Sequence, residues 1–220
     1  MGDQGMFFSI NVSFRKQEVE DYERRRYRGL DQKIVDRREK RILCKILKEI
    51  GADSHLALDV PCGYGRFSTL LLERGMKLTS SDYSFYMVKR TKEKEEHSRA
   101  LMGVVADLRL GLPFKKETFD FILSMRFFHH VHQAEERMSI LQEYARVSRE
   151  WVILSYYQLN WLHSLQRKLR RRIKKSKTRI KMISRSDFEK EVHASGFRVV
   201  RIFPLFRGIH AHRIALLAKS

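Results

Sequence analysis

Cysteine is almost missing from this 220-residue sequence: there are two, Cys44 and Cys62, well apart. That spacing gives neither a disulfide framework nor a metal-ligand pattern, and it makes a reducing, cytosolic setting the expectation. Long apolar runs are missing as well, none approaching the roughly 18 residues that a membrane span requires. The first residues, Met1 to Phe8, have no basic n-region and no cleavage signature. Position 6 is Met where a myristoylation signal wants Ser or Thr. There are no internal repeats. The remaining shortage is of acidic charge, with 26 Asp plus Glu against 45 Lys plus Arg and a net charge of +19. Such a balance implies an anionic partner, whether nucleic acid, anionic lipid or a phosphorylated substrate, and says nothing about fold.

An apolar content of 43% over this length suits one well-buried domain. Residues 1–17 carry no clear period. From about Glu18 to Ile50 the chain has strong helical propensity and no proline, with apolar residues mostly three and four apart at Leu30, Ile34, Ile42, Leu43, Ile46, Leu47 and Ile50. Gly51 is its stop signal. The polar first part, Tyr22 to Tyr27, is expected either to fold over a pocket or to face solvent. Beyond Gly51, short apolar pulses alternate with helical segments: strand 56–60, helix 66–75, strand 77–81, helix 84–97, strands 101–106 and 119–125, helix 133–147, strand 151–157. That alternation implies an α/β fold, a doubly wound, mostly parallel sheet covered on both faces. Ser184 to Asp187 has capping-box spacing, and Ser195-Gly196 ends the helix it opens. The last two pulses, Phe197 to Phe203 and Ile209 to Ala218, read as an antiparallel hairpin at the sheet edge. The expected organisation is a helical cap at 1–50, a core at 51–160, a basic insertion at 161–185, and a closing helix and strands at 186–220.

In a doubly wound sheet, ligands sit beyond the carboxyl ends of the strands, where strand order reverses. Three features converge there. The strand from Leu56 turns through Pro61-Cys62-Gly63-Tyr64-Gly65 into a helical pattern, and the two glycines permit a close backbone approach and outward N–H groups. Asp82 follows the second strand about 20 residues later, where a carboxylate can accept from both hydroxyls of a ribose. Asp107 follows the third strand, with Leu108 beside it, an acceptor and an apolar contact that suit an adenine edge and face. Adenosine recognition is the economical reading.

On these residues the sequence resembles the class I S-adenosylmethionine-dependent methyltransferases, in particular the type 11 group. The resemblance covers about Leu56 to Tyr157: Leu-Asp-Val-Pro-Cys-Gly-Tyr-Gly-Arg-Phe at 58–67, Ser-Asp-Tyr-Ser at 81–84, Val-Ala-Asp-Leu at 105–108, Leu-Pro-Phe at 112–114, Phe-Asp-Phe-Ile-Leu-Ser at 119–124 and His-His-Val at 129–131. Pro61 departs from the family, which often has glycine there. The resemblance implies S-adenosyl-L-methionine as cofactor, with Asp59, Cys62, Gly63 and Gly65 toward its methionine part, Asp82 on the ribose, Tyr83 against the adenine, and Asp107 with Leu108 at the adenine edge. Cys62 also has a structural reading inside the turn.

Transfer from a sulfonium needs alignment more than acid–base help, and a base matters only when the acceptor must lose a proton. His130 is the chosen base, with Arg126, His129 and Tyr157 as neighbours expected to face the acceptor. The His129-His130-x-His132 run lacks carboxylate or cysteine partners for a metal, and none is expected. From Arg167 to Lys181 lie ten basic residues and no acidic one, and removing them would lower the charge from +19 to +9. A basic segment at this place suits a small-molecule or lipid-like anionic acceptor, methylated at oxygen, and an anionic membrane surface or RNA as partner. A cytoplasmic, peripherally membrane-associated protein follows. RNA methylation is the alternative enzyme reading. A non-catalytic protein that binds the nucleotide and docks an anionic partner is the alternative of another class.

Overall fold

Alternating apolar side chains build the central sheet, because successive residues of a strand face opposite layers. The computed structural model describes residues 19, 21, 23, 29–53, 55–159, 181–206 and 211–220. Most of the basic segment, Arg167 to Arg179, lies outside the described residues, as do Tyr22, Tyr27, Trp161 and His163.

The elements in chain order are α1 (Leu30–Glu49), β1 (Leu56–Asp59), α2 (Ser68–Leu72), β2 (Lys77–Asp82), α3 (Phe85–Lys94), β3 (Leu101–Val105), β4 (Phe119–Ser124), a 3-10 turn (Phe128–His130), α4 (Ala134–Val147), β5 (Ser148–Tyr157), α5 (Arg185–Ala194), β6 (Phe197–Pro204) and β7 (His212–Lys219). They form one seven-stranded sheet in the order β3-β2-β1-β4-β5-β7-β6. The first five strands of that order run parallel, and β7 is antiparallel to both β5 and β6. The expected mostly parallel sheet with an antiparallel closing hairpin is what forms. Pro204 closes β6, the outermost strand, where a missing N–H breaks no ladder.

Each face of the sheet carries its own core. Leu58, Ile122, Val152, Leu154 and Leu217 point into one layer with Leu141, Tyr144 and Phe188 from α4 and α5. Ala57, Phe121, Leu123, Ile153 and Leu216 point into the other, against Leu43, Ile46 and Leu47 of α1. Ser184 caps α5 as its spacing predicts, its hydroxyl accepting from the Asp187 N–H at 3.0 Å.

Several details differ from expectation. The helix expected over 66–75 is regular only from Ser68 to Leu72, because residues 61–67 are spent on successive turns. β5 starts at Ser148 and not at Trp151, because Ser148 pairs with Phe119 and the charged Arg149-Glu150 lies within the strand. In α1 the apolar period overstates packing, since Leu30 and Ile34 are exposed and burial begins at Glu39.

Candidate active site

Three carboxylates gather where β1, β2 and β3 end. The switch in strand order falls between β1 and β4, so the crevice lies beside the turn that leaves β1. Gly63 and Gly65 have φ of +55° and +73°, backbone that a side chain at either site would strain. A Cβ on Gly65 would also lie 2.7 Å from Thr91.

Asp82 ties β2 to this turn. Its Oδ2 accepts from the Gly63 N–H at 3.0 Å and its Oδ1 from the Ser84 N–H at 2.9 Å. Burial pushes its carboxyl up, outweighing the backbone donors that favour ionisation. Asp59 is wholly buried, and its Oδ2 has no hydrogen-bond partner among the described residues. Desolvation, and then the nearby Asp82 carboxylate, raise Asp59 to about 8, with the Arg66 guanidinium opposing.

A measurable consequence follows from the sign of that shift. Between the ordinary carboxyl value of about 4 and a folded value of about 8, the folded chain holds a proton that the unfolded chain has lost. Stability therefore falls as pH rises through this window. The melting midpoint of the ligand-free protein is expected to drop between roughly pH 5 and 8, and Asp59→Asn is expected to flatten the slope. An unchanged slope in the variant would place the titration elsewhere.

Cys62 bonds through its backbone, N to Ser81 O at 2.8 Å, and its thiol donates to Gly63 O at 3.4 Å. Burial raises that thiol well above its usual range, so Cys62 fastens the turn to β2 and is a poor nucleophile.

Asp107 reaches the same edge with its carboxylate engaged. Arg109 donates to it from N at 3.0 Å, Nε at 2.9 Å and Nη2 at 2.6 Å, and this guanidinium holds the carboxyl below its usual range. The Arg109 guanidinium also stands 5.8 Å from the centre of the exposed Tyr83 ring. Asp107 and Tyr83 thus share Arg109, a residue the motif reading missed although Asp-x-Arg is a local signal. Leu108 is half-buried against the α4 and α5 side of the core.

His130 is exposed on the 3-10 turn after β4, its ring 4.0 Å from that of buried His129. His129 meets Tyr157 edge-on at 4.9 Å, and Tyr157 stacks on His212 at 5.0 Å. Among the described residues no three His, Cys, Asp or Glu side chains gather as a metal-binding set.

Residues 58–156 match a family model described as a methyltransferase domain. The sequence is 30% identical over 105 residues to a demethylmenaquinone methyltransferase from Thermobifida fusca, a match covering 47% of this chain and 44% of that protein. The chain thus spans less than half the length of this curated relative. The fold is similar to magnesium protoporphyrin IX methyltransferase from Synechocystis crystallised with S-adenosylhomocysteine, with a TM-score of 0.74 and 22% identity over 94% of this chain and 100% of that one. It is also similar to the PH0226 protein from Pyrococcus horikoshii, with a TM-score of 0.68 and 21% identity over 84% of this chain and 91% of that one.

Proposed function

We propose that the chain is a class I S-adenosylmethionine-dependent methyltransferase, a reading supported by the methyltransferase domain matched at 58–156 and by the fold around it, and that it methylates an oxygen of a small or lipid-like, anionic acceptor. The observation that carries the cofactor half is the pairing of Asp82 with the Gly63 turn beside the orphaned Asp59 oxygen.

The residues present fit the cofactor. Each Asp82 oxygen accepts one backbone N–H and keeps acceptor capacity for a ribose hydroxyl. Asp59 Oδ2 calls for a donor, which the amino group of the methionine part supplies, and a cation there favours the ionised carboxylate. Gly63 and Gly65 leave backbone for close approach. Tyr83 offers an exposed ring for the adenine, with Asp107 and Leu108 at its edge. The bound cofactor supplies an activated methyl on a sulfonium, so the protein's task is to hold the acceptor atom in line and exclude water.

On the acceptor side, Arg126, His129 and His130 follow β4 and Tyr157 ends β5. Of these His130 is exposed, His129 is buried and Arg126 is paired with Glu39. Two similar proteins are named for small-molecule acceptors, demethylmenaquinone and magnesium protoporphyrin IX. His130, exposed at this edge, takes the proton that a hydroxyl acceptor releases. His130→Gln should slow methyl transfer about 10²-fold with little change in S-adenosylmethionine affinity. Equal loss of affinity would move His130 from base to binding group.

The deciding experiment is transfer of radiolabelled methyl into a fractionated extract of the source cell. Label in small molecules or lipid supports the proposal. Label in RNA favours the second reading, which the density of charge from Arg167 to Lys181 supports; RNA binding should then weaken steeply with salt. No label in any fraction, with binding intact, would favour a non-catalytic nucleotide-binding protein. No helix among the described residues is long and apolar enough to cross a membrane. Peripheral attachment is tested by co-sedimentation with anionic against neutral liposomes.

A further inference from the structure

Glu39 is a carboxylate with no exposed surface in the middle of α1, and the chemistry above does not use it. Charged groups are rarely so buried unless they are paired, and removing one partner leaves the others uncompensated. Its partners come from three distant places. Arg66, next to Gly65, donates from Nη2 to Glu39 Oε2. Arg126, just beyond the end of β4, donates from Nε to Oε1 at 2.8 Å. His212, the first residue of β7, lies with Nδ1 3.3 Å from Oε1.

Arg66 and Arg126 belong to the two lips of the crevice. Arg66 leaves the glycine turn after β1, its Nε 3.3 Å from Asp36 on α1. Arg126 follows β4 with φ at +58°, a conformation rare outside glycine. Its backbone N–H is held by Ser155 Oγ at 2.6 Å. Such backbone persists only when its surroundings over-determine it, and it gathers at functional sites. Here Ser155 fixes the main chain while Glu39 fixes the side chain. β1 and β4 are neighbours in the sheet, so one carboxylate fastens both sides of the place where strand order reverses.

We infer that Glu39 is a positioning residue for the cofactor: by holding Arg66 and Arg126 on one carboxylate, it sets the separation of the glycine turn from the end of β4 and so the shape of the crevice. This rests on the reading of that turn as the cofactor cradle. Replacing Glu39 with glutamine preserves volume but leaves two guanidinium groups facing each other with a neutral amide between them. They repel, and the lips shift. A residue that served only to dock α1 would lower stability and leave the crevice of the folded molecules unchanged.

The test is calorimetric titration of the full chain with S-adenosylhomocysteine, well below the melting midpoint of each variant. Glu39→Gln should bind at least about tenfold more weakly than wild type, and the double variant with Arg126→Gln should bind no more weakly than Glu39→Gln alone, as groups acting through one contact do. Wild-type affinity in folded Glu39→Gln, with only a lowered melting midpoint, would overturn the inference. If Glu39→Gln does not fold, Arg126→Gln breaks the same contact from the other side; it must weaken binding similarly, and unchanged affinity would overturn the inference equally. No heat from wild type would instead overturn the cofactor reading, and this inference with it.

Discussion

Asp82→Ala is expected to weaken S-adenosylmethionine binding by about 10²–10⁴-fold, since it removes two hydrogen bonds to a charged acceptor at roughly 1.5–3 kcal/mol each. The carboxylate has two tasks at once. Toward the protein, it takes one N–H from Gly63 and one from Ser84, fixing the glycine turn against β2. Toward the ligand, in the proposed reading, it offers one further lone pair per oxygen to the ribose hydroxyls. Asp82→Asn keeps Oδ1 as an acceptor and should fall between wild type and alanine. Burial disfavours the Asp82 carboxylate in the absence of ligand, so affinity should suffer more than folding. Titration calorimetry beside a thermal melt separates the two. Binding of Asp82→Ala within about threefold of wild type, well below the loss of even one such bond, would take Asp82 out of the site.

The placement of Asp59, Gly63, Gly65, Asp82 and Asp107 at one sheet edge was legible in the sequence because each ends or follows an apolar pulse, and the parallel α/β pattern sends every such end to one edge. What local pattern could not show was which charged residues turn inward. Glu39 sits in Asp36-Arg37-Arg38-Glu39-Lys40-Arg41, a run that reads as a solvated helix face. Its burial is decided by Arg66, Arg126 and His212, residues far along the chain with no period in common. Leu30 and Ile34 failed in the opposite sense: they keep the helical period yet stay exposed, because period marks a face and not its partner. The end of β4 was read as acceptor-facing through Arg126, His129 and His130, but the left-handed backbone at Arg126 left no sequence signal. Local order thus specified the edge where these carboxylates meet, whereas the partners of Glu39 come from far along the chain.

Arg137 shows the same rule on the opposite layer and carries the second large effect. It lies in Glu135-Glu136-Arg137, apparently a polar first turn of α4, yet it is 3% exposed. Its Nε and Nη2 donate to the two oxygens of Glu191 on α5, Nε at 2.8 Å, and its Nη1 donates to the carbonyls of Val131 at 3.1 Å and His132 at 3.0 Å. One guanidinium therefore clasps α4 to α5 and pins the chain just after His130. Arg137→Met should cost about 3–5 kcal/mol, mostly because the Glu191 carboxylate stays buried without its partner. At this chain length that is a fall of roughly 6–20 °C in the melting midpoint. Adding Glu191→Leu removes the stranded charge and should recover much of the loss, since a buried ion pair replaced by apolar groups is often near neutral. Recovery should stay incomplete by roughly 1–3 kcal/mol, because the buried Val131 carbonyl still lacks its donor. A double variant no more stable than Arg137→Met would show that the clasp works through packing and not charge. In the rescued variant S-adenosylhomocysteine binding should persist while methyl transfer stays slow, because the loosened segment adjoins His130 and lies away from Asp82.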